Sequence, residues 1–300
     1  MIPLVTIGIP TYNVGCFVAL SIESVLAQTY TNFELIIIDD GSTDNTVEEI
    51  RKFNDPRIKL IVNGENHGIS YCLNQQIDMA KGDIFVRMDG DDLMFPTRVE
   101  EQVRYLQEHP DIDVVGAGAI VIDDKNNIIG QRQKNKTIKR PEDVINSTPF
   151  IHPTVCGRIG FFRKYHYEER LCGVEDNDLW LRGIVESKYA VIPQPLIFYR
   201  DPLKFKLKTY TMRQMKGCKE VFMRWSLFKD KWPAIRYIIV AFTKSFAAIL
   251  YSKLGRDEKL IARRNTVNEN TLFYQDILDS IVPRYNDLTI EDTSFSNQKK

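Results

Sequence analysis

Hydrophobic positions in the first ninety residues repeat one pattern, a short apolar run followed by apolar residues at helical spacing. The runs 4–9 and 33–38 are each followed by such a segment, around residues 18–26 and 47–50. The pattern returns with strands predicted at 58–62 and 84–88 and a helix predicted at 69–80. Because strands and helices alternate, the sequence predicts a parallel sheet with helices on both faces.

After a helix predicted at 97–109, the pattern changes from strand and helix to strand and strand. Apolar runs at 114–122 and 128–132 flank a polar turn, which predicts an antiparallel hairpin and therefore a mixed sheet. A strand at 152–158 and a helix at 176–187 follow. Two short strands are predicted at 189–192 and 196–200, separated by Pro193 and Pro195. From residue 201 the strand pattern stops and helices are predicted.

Charge divides the chain at the same place. Residues 1–200 carry 21 Lys and Arg against 29 Asp and Glu, a net −8, whereas residues 201–264 carry 16 against 5, a net +11. We therefore predict an α/β domain at 1–200, a basic helical extension at 201–286 and a disordered polar tail at 287–300. A block this basic indicates an anionic partner surface, either phospholipid head groups or nucleic acid.

Cysteine usage and apolar tracts bear on the compartment. The five cysteines are scattered and never spaced Cys-x-x-Cys, which favours reduced thiols over a zinc site or a disulfide framework. The first strand is predicted within three residues of Met1, so we expect no signal peptide. The longest apolar tract, 237–252, has 16 residues and contains Lys244, which we interpret as too short and too charged to span a membrane. These features favour a cytoplasmic protein.

Three carboxylates follow the predicted strand 84–88 within four residues: Asp89, Asp91 and Asp92. Like charges this close repel, and ionised carboxylates resist burial, so such a turn needs a cation or a proton. Oxygen ligands favour Mg²⁺ or Mn²⁺. In α/β sheets, ligands bind outside the carboxyl ends of the strands, which is where these residues fall. The alternative is a solvated acidic turn before the helix at Pro96.

Five short motifs, in order, resemble the family 2 glycosyltransferases with the GT-A fold, of the type that makes bacterial surface polysaccharides. The resemblance covers residues 1 to about 200 and includes Tyr199-Arg200 at its end. It implies a mixed central sheet flanked by helices, here followed by a helical C-terminal extension. The motifs are Ile9-Pro10-Thr11-Tyr12-Asn13, the segment 34–44 around Asp39-Asp40-Gly41, Asp89-Gly90-Asp91-Asp92, His152-Pro153-Thr154-Val155 and the segment 175–182.

The resemblance implies roles for the donor-side residues. The nucleotide is expected against Pro10, Thr11, Tyr12, Asn13, Asp40, Asp89 and Gly90. Tyr12 would stack on the base and Asp40 would accept its N–H. A Mn²⁺ or Mg²⁺ ion is expected on Asp91 and Asp89, where a Lewis acid would neutralise the leaving diphosphate. Taken alone, Tyr12 could equally be an edge aromatic and Asp40 a helix cap.

On the acceptor side, the resemblance makes Asp176 the general base of an inverting transfer, a role that needs a carboxylate opposite the leaving group. In isolation it could instead complement the dipole of its helix. Trp180 fits the core more readily than a sugar platform, and Arg182 could serve as scaffold or pocket. Four residues are placed on the acceptor or diphosphate side: His152, Glu175, Trp180 and Arg182.

The function implied is transfer of a single sugar from a nucleoside-diphosphate sugar, a UDP-hexose, to a hydroxyl of a glycan acceptor. Processive relatives carry Gln-x-x-Arg-Trp; here Arg224-Trp225 is present but Val221 stands at the glutamine position, which favours single addition. A lipid-linked acceptor would place the enzyme peripherally on the inner membrane face. The basic segment offers an apolar stripe that predicts either an interfacial helix or domain packing: Ile235, Ile238, Ile239, Phe242, Phe246, Ile249 and Leu250.

Two other classes remain open. A sugar-phosphate nucleotidyltransferase also uses an α/β sheet and acidic metal ligands, but would be expected to carry a glycine-rich basic loop. Residues 10–15 contain one glycine and neither Lys nor Arg. The second alternative hypothesis is a non-enzymatic scaffold that binds anionic surfaces. Since the sequence shows no motif with base-reading or stacking residues, nucleic acid is not an expected partner.

Overall fold

The computed structural model describes residues 2–134, 138–201, 206–254, 266 and 270–282. In this part of the chain, the strands form one nine-stranded mixed sheet in the order β3-β2-β1-β4-β8-β6-β9-β5, with β7 paired to β6. The strands are β1 (Val5–Thr11), β2 (Phe33–Asp39), β3 (Ile58–Val62), β4 (Ile84–Arg87), β5 (Leu93–Met94), β6 (Val114–Ile122), β7 (Ile128–Arg132), β8 (Cys156–Arg158) and β9 (Tyr189–Arg200).

Helices cover the sheet and continue past it. The described α-helices are α1 (Val18–Leu26), α2 (Thr46–Arg51), α3 (Ile69–Met79), α4 (Arg98–Glu108), α5 (Pro141–Asn146), α6 (Ile159–Tyr165), α7 (Glu175–Gly183), α8 (Leu207–Met223), α9 (Trp232–Lys253) and α10 (Thr271–Ile281). Short 3-10 turns lie at His152–Thr154, Glu169–Leu171 and Trp225–Leu227. The predicted mixed sheet with flanking helices and a helical C-terminal extension is confirmed.

The first four strands are parallel; β1, β2 and β4 are almost wholly buried, whereas β3 lies at the edge of the sheet and is partly exposed. β1 pairs with β2 and β4, and β2 pairs with β3, all in parallel register. Every residue of β1 and β4 is buried, as expected for strands that carry helices on both faces. Parallel pairing brings the carboxyl ends of β1, β2 and β4 to one edge of the sheet. The predicted candidate residues after these strands therefore share that edge.

Two local predictions are wrong. The segment predicted as a strand at 152–158 begins with a 3-10 turn, and only Cys156–Arg158 is a strand. The two strands predicted around Pro193 and Pro195 are one strand, β9. Its register with β6 shifts on both sides of Gly118. This irregularity accommodates the prolines, because a bulge removes the need for a regular ladder of N–H donors.

The extension helices α8 and α9 pack on the α/β core. Val221, Phe228 and Ala234 are buried in the same hydrophobic cluster as Trp180 and Phe150. Removal of the extension would therefore expose the core beneath α7. The domain division at residue 200 stays a prediction, and the predicted tail at 287–300 lies outside the described residues.

Helix α9 has two different faces. Alanines spaced seven residues apart, at 234, 241 and 248, are buried, whereas large apolar side chains point to solvent. The helix has 22 residues, so it is long and apolar enough to cross a membrane. Core helices of other proteins share this length and composition. The expectation that this segment is too short is wrong, because the helix extends beyond the apolar tract on both sides. The exposed set is Trp232, Ile235, Ile239, Phe242, Phe246, Ile249, Leu250 and, just past the helix, Leu254.

Candidate active site

The acidic turn after β4 gathers three carboxylates. Oxygen atoms of Asp89, Asp91 and Asp92 all lie within 4.8 Å of one another. Gly90 allows the turn to lie against the end of β1, because a Cβ there would come within 2.9 Å of the Thr11 methyl carbon. The turn thus lies beside the loop after β1, where the nucleotide residues were predicted.

A buried arginine neutralises one member of the turn. Arg87, the last residue of β4, is 1% exposed and forms two bonds with Asp89, at 2.6 Å from Nη2 to Oδ1 and 2.9 Å from Nη1 to Oδ2. The remaining Nε–H has no hydrogen-bond acceptor among the described residues. A bidentate pair of this kind fixes the orientation of the carboxylate.

The other two carboxylates of the turn are less compensated. Burial and repulsion from Asp89 raise the pKa of Asp91 to about 6. Burial and repulsion from Asp91 also raise the pKa of Asp92 well above its usual range. Asp92 accepts the Arg200 N–H at 2.8 Å through Oδ1, while Oδ2 is buried and has no partner in the described part of the chain. A group of convergent carboxylate oxygens, one of which has no hydrogen-bond donor, suits a divalent cation.

Asp40, after β2, lies in a cradle of backbone donors. It accepts the His67 N–H at 3.0 Å and the Gly68 N–H at 2.7 Å. Burial raises the pKa of Asp40, but these bonds outweigh that effect and lower it below its usual value. Gly68 can supply its N–H here because φ is 94°, a conformation glycine adopts without strain. Asp40 is therefore ionised and fixed at the sheet edge.

The loop after β1 presents both an open ring and fixed polar groups. Tyr12 is 48% exposed, whereas Thr11 is buried and donates to the Ile38 carbonyl at 3.3 Å. Asn13 has φ of 52°, and its Oδ1 accepts the Thr43 N–H at 2.8 Å. Pro10 is buried within β1, in register with β2. Thus Tyr12 and Asn13 are both exposed, while the bonds of Thr11 and Asn13 hold the loop in shape.

The acceptor-side candidates Asp176 and Glu175 begin α7. Burial raises the pKa of Asp176, and the positive charges of Arg87 and Arg213 act against it. Burial and the charge of Asp176 raise the pKa of Glu175. The buried Arg87 guanidinium, paired with Asp89, also acts electrostatically on Asp176 at the start of α7.

His152 lies in the same region. Its Nε2 is 3.0 Å from the hydroxyl of Tyr167. Burial and the charge of Arg87 lower the pKa of His152 well below its usual value, so the ring is neutral. A neutral ring can either donate or accept a hydrogen bond here, depending on its tautomer.

Trp180 and Arg182, predicted on the acceptor side, serve the scaffold. Trp180 is fully buried, with its ring edge-on to Phe150 at 4.9 Å between centroids. Arg182 donates through Nε to Asp178 at 2.7 Å and through Nη2 to the His166 carbonyl at 2.6 Å. The acceptor-side placement of Trp180 is corrected, because a fully buried ring offers no face to a ligand. The placement of Arg182 stays a prediction, since its guanidinium is bonded within the scaffold and also lines a surface cavity.

Sequence reasoning missed two members of the site. Arg87 is the charged residue within an otherwise apolar strand, and that exception was a usable signal. Asp92 was quoted in the acidic motif but was not assigned as a metal ligand. Its burial and its orphan oxygen are visible only in the folded chain.

Comparisons with known proteins agree with this geometry. The profile described as "Glycosyl transferase family 2" matches residues 6–171. A Bacillus subtilis (strain 168) protein named as glycosyltransferase EpsE is 36% identical over 217 residues, covering 70% of this chain and 77% of its own. An uncharacterized glycosyltransferase of Methanocaldococcus jannaschii, MJ1057, is 29% identical over 268 residues, covering 81% of this chain and 91% of its own.

Two solved structures show similar folds. TarS 1-349 of S. aureus in complex with UDP superposes with a TM-score of 0.61 at 16% identity, covering 81% of this chain and 72% of that chain. The mannosyltransferase PcManGT from Pyrobaculum calidifontis, in complex with GDP-Man and Mn²⁺, gives a TM-score of 0.58 at 16% identity, covering 96% and 83%. At such identities the likeness shows the fold alone.

Proposed function

Because this chain belongs to glycosyl transferase family 2 and has the GT-A fold, we propose that it moves one sugar from a UDP-hexose to a glycan hydroxyl with inversion. The observation that carries the proposal is the pair of acidic turns, one after β4 and one at the start of α7, on which the buried Arg87 acts electrostatically. One turn has convergent oxygens suited to a cation. The other presents Asp176, whose pKa burial raises towards the working range of a general base.

The donor would lie along the carboxyl ends of β1, β2 and β4. The open ring of Tyr12 would stack on the base, and Asp40, ionised and fixed by two amides, would accept a base N–H. Asp91 and Asp89, joined by Asp92, would hold Mn²⁺ or Mg²⁺. When bound, that ion supplies charge neutralisation for the diphosphate as it leaves. The two structural neighbours are in complex with UDP and with GDP-Man and Mn²⁺, which supports a nucleotide-sugar donor for this chain.

Asp176 would take the proton from the acceptor hydroxyl as that oxygen attacks the anomeric carbon. A single base opposite the leaving diphosphate gives inversion. Arg87 would keep Asp176 deprotonated, because a buried positive charge nearby favours the carboxylate. His152, neutral and bonded to Tyr167, would border the same space. Glu175 would shape the turn, since its carboxylate accepts the Gly173 N–H.

Thermal unfolding with nucleotides tests the donor site. We expect UDP to raise the melting temperature with Mn²⁺ and much less in EDTA, because a ligand that binds only the folded chain stabilises it. GDP serves as the matched comparison for the base. Protection by UTP but not by UDP would instead favour the nucleotidyltransferase reading. If no nucleotide protects in the presence of Mn²⁺, the donor proposal is wrong.

We further propose that the exposed face of α9 lies on an anionic lipid surface at the inner face of the membrane, where a lipid-linked acceptor would be met. The large apolar side chains of this face point away from the protein, while the buried alanines hold the helix to it. The net +11 of residues 201–264 complements anionic head groups. Each basic residue close to the surface would contribute about 1 kcal/mol, less at high salt.

Vesicle co-sedimentation tests this surface. Truncation at residue 201 is unsuitable, because it removes Val221 and Phe228 from the core. We instead expect Phe242→Asp with Phe246→Asp to abolish salt-sensitive binding to phosphatidylglycerol vesicles without unfolding the protein, since both rings are exposed. Val185→Asp, an exposed apolar residue after α7, is the control. Wild-type binding that survives alkaline carbonate would indicate a spanning helix, and unchanged binding by the double variant would exclude this face.

A further inference from the structure

One face of α8, in the C-terminal extension, follows the chain segment that carries Asp176. Lys216 donates through Nζ to the Cys172 carbonyl at 2.6 Å, and one turn later Glu220 accepts the side-chain amide of Asn177 at 3.4 Å. These residues are four positions apart on α8, so they share one face. The extension therefore contacts both sides of the Asp176 turn.

Arg224 lies just past the end of α8 and, like Lys216 and Glu220, contacts the segment around Asp176. Its Nε donates to Asp178 Oδ1 at 2.6 Å, and Nη2 donates to Asp178 Oδ2 at 3.3 Å. Asp178 is fully buried, and its other partner is Arg182 on the same helix. A buried carboxylate needs such partners, because removal of one leaves a charge without compensation in a poorly solvated place.

We propose that Arg224 is a positioning residue for Asp176, acting through Asp178 two residues further along α7. The proposal rests on the function proposed above, in which Asp176 is the base. Through Asp178, Arg224 orients the first turn of α7 and balances the negative charge beside the base. The Arg-Trp pair, which lacks its glutamine here, thus gains a role that requires no contact with a sugar.

The electrostatic setting of Asp176 defines what a test must measure. The charged and titratable groups that act on Asp176 come from its own helix, from β4, from the segment before α7 and from α8: Glu175, Arg87, Tyr167, Arg213 and Glu220. Of the carboxyls in this setting, Glu220 is fully buried, and burial with the charge of Asp178 raises its pKa well above the usual value. Its protonated form is therefore favoured, and the arginines are the cations that balance the negative charge beside the base.

The test compares variants in hydrolysis of UDP-GlcNAc, UDP-glucose and GDP-mannose without acceptor, with Mn²⁺, across pH 5–9. For Arg224→Gln we expect turnover to fall roughly tenfold. The acidic limb of the pH–rate profile should move up by roughly half a pH unit or more, because loss of a cation disfavours the ionised form of Asp176. Mn²⁺-dependent protection by UDP should not change. Arg57→Gln, which breaks a surface pair with Asp55 at 2.8 Å, is the control.

A charge-balanced variant separates positioning from packing. Arg224→Gln with Asp178→Asn should return the acidic limb towards the wild-type position, since both charges of the pair are gone. If Arg224→Gln does not fold, Arg224→Lys replaces it: the limb should then stay in place while turnover falls, because the charge remains and the two-point contact is lost.

Two results would overturn the proposal. One is an unmoved limb with full turnover in folded Arg224→Gln or Arg224→Lys. The other is a double variant displaced as far as the single variant, which would make the effect one of packing. Asp176→Asn run in parallel identifies the failure: full hydrolysis by that variant removes the base assignment itself, whereas an inactive Asp176→Asn beside unaffected Arg224 variants removes only the positioning role.

Discussion

The acidic turn after β4 and the first turn of α7 have the same composition, three carboxylates within four residues, but the fold compensates them differently. In the turn after β4, Arg87 is paired with Asp89, while Asp91 and Asp92 retain raised pKa values and Asp92 has a side-chain oxygen without a partner among the described residues. The α7 turn presents a different balance. Two arginines hold Asp178 there, and a backbone N–H holds Glu175.

The difference shows how a fold assigns two kinds of chemistry to similar sequences. Where two carboxylates form no salt bridge among the described residues, their oxygens converge and a divalent ion is the natural partner. Where arginines already balance the neighbours, a single carboxylate is left to accept a proton. The buried Arg87 acts electrostatically on both turns.

The largest effect is expected for a substitution in the acidic turn after β4, called the metal turn below. Asp91→Asn should lower turnover by roughly 10³-fold, the upper scale of electrostatic transition-state stabilisation, and should remove the response to Mn²⁺. The reason is that a hard cation needs ionised oxygen ligands. Titration calorimetry with MnCl₂, alongside donor hydrolysis, measures both effects.

Asp83→Asn is the matched control for this change, because Asp83 lies just before β4 at the opposite end of the same strand and is exposed. It should leave Mn²⁺ binding and turnover unchanged. An Asp91→Asn protein with a normal Mn²⁺ titration would place the ion elsewhere.

A smaller effect is expected at the α7 turn. Asp176→Asn should lower turnover by roughly 10²-fold, the scale of a general base, while Mn²⁺-dependent nucleotide binding persists. The measurement is single-turnover hydrolysis of bound donor beside equilibrium binding of UDP. The two turns are thereby separated, since one variant loses metal binding and the other loses only proton transfer.

Asn177→Ala provides the control at the neighbouring position, where the side chain contacts Glu220 on α8. Its turnover should stay within a few-fold of wild type. If Asp176→Asn lost nucleotide binding while bound donor still turned over, Asp176 would belong to the donor pocket and the contrast between the turns would fail.

Much of the metal turn was predictable from sequence because its signals are local. An apolar strand that ends in Asp89-Gly90-Asp91-Asp92 gives both the sheet edge and the convergent oxygens. The parallel order of the first four strands follows from the same repeated pattern, and it is confirmed.

The surroundings of the α7 turn were less predictable because they depend on distant parts of the chain. Arg224 reaches Asp178 across 46 positions, and Trp180 meets Phe150 only once α5 and α7 have packed. Helical spacing alone cannot distinguish a core tryptophan from a sugar platform, since both occupy one face of a helix. Tertiary contacts decided these positions.

The smallest effect sharpens the comparison through stability without metal. Asp91 has a pKa of about 6 in the folded protein, above the value of about 4 expected when unfolded. The folded state therefore holds this proton more tightly, so the contribution of Asp91 to stability is greatest below pH 4 and is lost as pH rises through 6. In EDTA, the wild-type melting temperature should drop across this window relative to Asp91→Asn, by a few degrees. Calorimetry from pH 4 to 8 measures the difference, with Asp83→Asn following the wild type.

Added Mn²⁺ should restore the melting temperature of the wild type above pH 6 and leave that of Asp91→Asn unchanged, because only an ionised Asp91 binds the cation. Parallel curves for wild type and Asp91→Asn would mean that the fold already compensates this carboxylate, as it does Asp178, and the contrast between the two turns would disappear.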